Sequence, residues 1–162
     1  MAAYKEGVKL TQYYEHTQVG YSIIAALIIA LLISVYYLTT ASFNWNPIIG
    51  LIILGACLAT FSTLKVLINE DVLEISFGLG IIRKSLSLND LESYQIVKNP
   101  WYYGWGIHLT PHGWLYNVSG FYAVEIKMKT GKRYIIGTDV PTELGKAIQQ
   151  SIERITRPTF EG

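Results

Sequence analysis

Charge is scarce in this chain and cysteine scarcer. Asp, Glu, Lys and Arg make up 15% of its 162 residues, where a soluble globular domain usually carries about a quarter. Thirteen Lys+Arg against twelve Asp+Glu leave a formal charge of +1, which excludes the strong basic field of nucleic-acid-binding proteins. The single Cys57 excludes a disulfide scaffold within the chain and any multi-cysteine zinc site. His16, His108 and His112 are the only histidines, and no Asp, Glu or Cys at ligand spacing accompanies the last two, so a metal is not expected. Gly78-Leu79-Gly80 and Gly104-Trp105-Gly106 do not continue as dinucleotide-binding fingerprints, and no cofactor is expected. Apolar residues reach 51% and mean hydropathy is +0.29, which excludes disorder of the whole chain. A membrane protein with a modest water-soluble part remains.

No Asp, Glu, Lys or Arg occurs between Glu15 and Lys65. About 20 apolar residues at 1.5 Å rise cross a hydrocarbon core of roughly 30 Å. Two runs approach that length, about 19–38 and 48–67, separated by Asn44-Trp45-Asn46-Pro47. Each central Leu, Ile or Val favours insertion by roughly 0.5 kcal/mol, and no charge opposes it. The expected anchor is therefore a two-span helical hairpin over 18–67, after an N-terminal cytoplasmic segment 1–17. Lys5, Lys9 and Lys65 flank the spans while the connector has no Lys or Arg, so both termini are expected in the cytoplasm. Ala26, Ala30 and Ser34, and likewise Gly55, Ala59 and Thr63, recur every fourth residue. Such small faces pack the two spans together or serve a homo-oligomer.

From Val66 onward short alternating runs broken by turn residues replace continuous apolar sequence. Strands are expected at 66–68, 72–77, 81–87, 91–97, 107–110, 113–118, 123–128 and 133–137. The chain closes in a helix whose Leu144, Ala147, Ile148 and Ile152 follow helical spacing, with Asp139 as its cap. The fold class expected is a membrane α-helical hairpin followed, over 66–162, by a small mainly-β barrel or sandwich of about seven strands under a C-terminal amphipathic helix.

Trp101-Tyr-Tyr-Gly-Trp-Gly-Ile-His108, Gly113-Trp-Leu-Tyr-Asn-Val-Ser-Gly120 and Ile136-Gly-Thr-Asp139, in this strand order, resemble bacterial membrane proteins with a pleckstrin-homology-like (PH-like) domain. The resemblance implies a transmembrane helix pair before a cytoplasmic PH-like domain in the inner membrane. It implies binding of lipid or protein rather than catalysis, and a fold alone assigns neither.

Two residue sets stand out. Trp101, Tyr102, Tyr103, Trp105, Trp114 and Tyr116 crowd a glycine-punctuated segment; they suit a partner-binding surface or a loop at the headgroup level, and equally the filling of the barrel. Arg83, Lys84, Lys127, Lys129, Lys132 and Arg133 form two cationic hairpins, suited to anionic lipid or simply to a solvated strand face, with Glu125 weakening the cluster. Ser119, His108 and Asp139 make a triad only on paper, without a nucleophile elbow. The function expected is a non-enzymatic integral membrane protein whose cytoplasmic domain binds a partner protein or serves as scaffold or accessory subunit of a membrane complex. An anionic-lipid surface module is the alternative, and a small membrane enzyme the third.

Overall fold

The computed structural model describes residues 12–40 and 45–156; residues 1–11 of the expected N-terminal segment lie outside the described residues. In chain order the elements are β1 (Gln12–Val19), α1 (Tyr21–Thr40), α2 (Asn46–Phe61), β2 (Thr63–Asn69), β3 (Val72–Phe77), β4 (Ile82–Ser87), β5 (Leu91–Lys98), β6 (Gly106–Thr110), β7 (Gly113–Asn117), β8 (Tyr122–Met128), β9 (Arg133–Gly137) and α3 (Pro141–Thr156).

Alternation builds the first sheet. Along β2, Leu64, Val66 and Ile68 are buried while Thr63, Lys65 and Leu67 turn outward; along β3, Leu73, Ile75 and Phe77 are buried. Side chains on a strand point to opposite faces in turn, so this period of two places one apolar row inside. The expected second span through residue 67 is corrected here. Helix α2 stops at Phe61, and residues 63–67 belong to β2, where Lys65 pairs with Glu15 of β1. The strand β1 is the second departure. Its residues pair antiparallel with β2, Val19 opposite Thr63 and His16 opposite Val66, so part of the segment expected to precede the spans is an edge strand of the domain. The order is β1-β2-β3-β4, antiparallel throughout.

The second sheet runs β5-β8-β9-β7-β6 and is antiparallel except for the parallel pair β7 and β9. Its inner face contributes Tyr116, Val118, Val124, Ile126, Met128, Tyr134 and Ile136 to one core shared with β2 and β3, and α3 adds Leu144 and Ile148. The C-terminal helix thus buries one apolar stripe, as its spacing requires. Its start differs from expectation. The Asp139 carboxylate meets His16 Nε2 at 2.6 Å, while the Thr138 hydroxyl accepts the Val140 N–H.

Helix α1 has twenty residues, about 30 Å of rise, with none buried, and is long and apolar enough to cross a membrane. The sixteen residues of α2 make a shorter apolar helix, about 24 Å, which packs against α1. A side chain built on Gly55 would meet nothing within 4 Å, so the Gly55 and Ala59 face is not where α1 packs. Both helices leave the β-domain at one point, for Gly20 N–H donates to Ser62 O at 2.8 Å, beside the last β1–β2 pair. The β3–β4 turn abuts that point. Gly78 has φ +49, and a Cβ on it would collide with the carbonyl oxygens of Ala59 and Thr60. The Phe61 ring meets Phe77 edge-on at 5.7 Å between centroids.

Candidate functional site

The second sheet and the edge of the first leave an open cleft of about 500 Å³ at the end of the domain away from the helices. Lys84, Leu109, Gly113, Trp114, Tyr116, Lys132, Arg133 and Tyr134 line it. Strand pairing explains the assembly. Lys84 lies on the edge strand β4, opposite Ile75; Trp114 pairs with both Leu109 and Tyr134 across β6 and β9; Lys132 stands in the β8–β9 turn. The Lys84 ammonium sits 5.6 Å from the centre of the Tyr134 ring, within range of a cation–π attraction.

The site draws on both residue sets from the sequence. Among the described residues no carboxylate lies within ion-pair distance of Lys84 or Lys132. The other cations are engaged. Arg133 reaches Glu125 at 3.2 Å, Lys127 reaches Glu92 at 2.6 Å, and the Lys129 ammonium donates to the Asn89 carbonyl at 2.7 Å. Arg83, next to Lys84 on β4, turns to the other face of the strand, where it bonds the Gly80 carbonyl and lies 3.8 Å from Glu74. The six basic residues are therefore not one surface.

The aromatic set divides too. Trp101 is 79% exposed, and Tyr102, Trp105 and Trp114 are also exposed, whereas Tyr116 keeps 8% and belongs to the core beside Phe77 and Tyr134. Burial, then the Tyr134 phenol, push its pKa above the ordinary tyrosine value. Tyr103 packs on the outer face of the second sheet against Leu115, Ala123 and Ile135. Tyr102 and Tyr103 overhang a second cleft of about 330 Å³ with Gln95, His112 and Glu125. There the Glu125 carboxylate is already met by Arg133 and by the Gln95 amide at 3.2 Å, so no unpartnered acceptor is offered.

The paper triad is not assembled. Asp139 binds His16, the His108 ring bonds the Tyr103 carbonyl, and the Ser119 N–H donates to Asn117 Oδ1. Among the described residues no group of three His, Cys, Asp or Glu could hold a metal ion. Sequence reasoning missed Leu109 as a wall of the first cleft; its signal was an apolar residue exposed next to the Thr110-Pro111-His112-Gly113 turn. No protein-family model matches the chain, and no curated protein matches it.

Proposed function

We propose that this chain is a non-enzymatic membrane anchor and binding module. In this reading α1 and α2 form a two-span hairpin in a bacterial inner membrane with both chain ends in the cytoplasm. The two-sheet domain is a PH-like variant whose distal cleft takes an acidic segment of a partner protein, making the chain an accessory or scaffold subunit of a membrane complex. The anchor reading is supported by two adjacent apolar helices with no buried residue, since water does not tolerate so large a contiguous apolar surface. The PH-like reading is supported by two packed sheets closed by a C-terminal helix, the β6–β7 hairpin and its parallel pairing being an elaboration. One observation carries the partner: Lys84 and Lys132, without carboxylates, flank the exposed Trp114 in one open cleft. An indole between two cations suits a carboxylate-bearing chain with an apolar neighbour.

The test is purification of tagged full-length protein in mild detergent from native membranes, with mass spectrometry of what is retained. A stoichiometric partner is expected, bound at least about tenfold more weakly by Trp114→Ala and by Lys84→Glu/Lys132→Glu. Trp101→Ala should retain it, and the melting temperature should hold in all three. A partner indifferent to the cleft substitutions, or a preparation holding only anionic lipid, would overturn the proposal.

A further inference from the structure

The end of the β-domain from which the helices emerge carries exposed apolar side chains, and Asp139, which follows Thr138 and its bond to the Tyr122 carbonyl, is paired with His16. The β3–β4 turn there, Gly78 to Ile81, is pinned to the base of α2 by the approach of Gly78 to Ala59 and Thr60. It carries Leu79 and Ile81 at 79% and 69% exposure, where a turn facing water would carry polar residues. The β7–β8 turn is tied to the base of α1. The Gln18 amide donates to the Ser119 carbonyl at 2.9 Å, and a Cβ on Gly20 would lie 3.1 Å from Val118. That turn presents Phe121 and leads into Tyr122, both exposed. Trp105 directly precedes β6, whose first residue Gly106 pairs with Asn117 at the same end of the sheet. The stretches meeting here, 77–83, 97–107 and 117–122, contain Arg83 and Lys98 and not one Asp or Glu.

We propose that this rim, formed by Leu79, Ile81, Trp105, Phe121 and Tyr122, is seated in the headgroup and upper acyl region of the bilayer. The β-domain is then held on the membrane in one orientation, with the Trp114 cleft turned toward the cytoplasm. The occupant follows from continuity. The rim extends the apolar surface of α1 and α2 at the place where they leave the domain, so a bilayer holding those helices meets it. Trp and Tyr are favoured at that depth, and the exposed Lys98, which has no carboxylate within ion-pair distance among the described residues, suits an anionic leaflet. The inference rests on the reading of α1 and α2 as a membrane anchor.

Single-tryptophan variants of the full chain test it, the other tryptophans being replaced by Phe. They are reconstituted in vesicles of phosphatidylglycerol and phosphatidylcholine brominated near the top of its acyl chains. Trp45, at the start of α2, reports the anchor. Trp105 reports the rim, as does Leu79→Trp in a background without native tryptophan. Trp114 lies three residues along β7 from Asn117, roughly 10 Å further from the helices. Trp45, Trp105 and the position-79 probe should lose most of their emission, and Trp114 should lose little. Trp45 quenched with Trp105 and position 79 untouched would overturn the rim and leave the anchor standing. Trp45 untouched would overturn both, and strong quenching of Trp114 would overturn the orientation.

Discussion

Tyr14 is the residue whose environment is most at odds with its chemistry. Its hydroxyl is enclosed with no hydrogen-bond partner among the described residues, and its ring packs on the core beside α3. Burial, then the carboxylates of Glu143 and Asp139, push its pKa up to about 12, because each disfavours a phenolate. The folded state therefore holds this proton when the unfolded chain, with its ordinary value near 10, has released it. The contribution is fully present below about pH 10 and is lost as pH rises toward about 12. Tyr14→Phe should melt at an equal or slightly higher temperature at pH 7, by up to about 1 kcal/mol, since an unpartnered buried hydroxyl is removed. It should also lose less stability than the parent between pH 10 and 12. Parallel thermal melts of the two proteins across that range decide it, and identical alkaline losses would show that Tyr14 is solvated. Asn117 matches a glycosylation sequon in sequence, yet it is buried, donates to the Gly104 carbonyl and accepts from Ser119 N–H. Its place is structural, tying the loop before β6 to the end of β7.

At the scale of elements, the β3–β4 turn is where helix and sheet are fitted to each other. Gly78→Ala places a Cβ against two carbonyl oxygens at a positive φ, so it should cost at least the roughly 1–2 kcal/mol of a left-handed alanine, seen as a lowered melting temperature in detergent. An unchanged melt would mean that α2 does not rest on the turn. The elements that local sequence specifies were legible: the strands from β3 to β9 begin and end within a residue or two of expectation, and α3 buries the apolar stripe its spacing marks. Gln-Tyr-Tyr-Glu-His-Thr-Gln-Val of β1 was not, because its part-buried and buried positions, Tyr14, His16 and Gln18, carry no apolar alternation for a pattern to register. Its partner β2 lies beyond the whole apolar insertion, and the parallel pairing of β7 with β9 is equally non-local. The cleft was half legible for the same reason. Lys84 and Lys132 were visible as cations and Trp114 as an aromatic, but only cross-sheet packing shows that these three belong together, with the buried Tyr116 beneath Tyr134 also reaching the cleft, while Trp101 lies elsewhere.

At the scale of the molecule, the helices are an insertion into a β-hairpin rather than a stalk in front of a domain. β1 and β2 remain paired to their last residues, and Gly20 bonds Ser62 across the gap, so the strand ends are already placed for a tight turn. Replacing residues 21–61 by Asn-Gly, which suits a two-residue hairpin, should therefore give a water-soluble protein with both sheets and α3. The loss of Phe61 from Phe77 lowers its stability without removing any buried core residue. A chain begun at Asn69 lacks β1 and β2 and with them Leu64, Val66 and Ile68, each essentially inaccessible to water. At roughly 2–5 kcal/mol for each such side chain truncated even to Ala, removing three with their strands exceeds much of the 5–15 kcal/mol that holds a domain together. Circular dichroism and size exclusion on the two proteins separate the accounts. The hairpin-closed form should melt cooperatively as a soluble species while the Asn69 form aggregates. Were the Asn69 form to fold and the closed form to fail, β1 and β2 would belong energetically to the helical half. If the closed form folds and keeps the partner through Lys84, Lys132 and Trp114, recognition resides in the two sheets and does not require the helices.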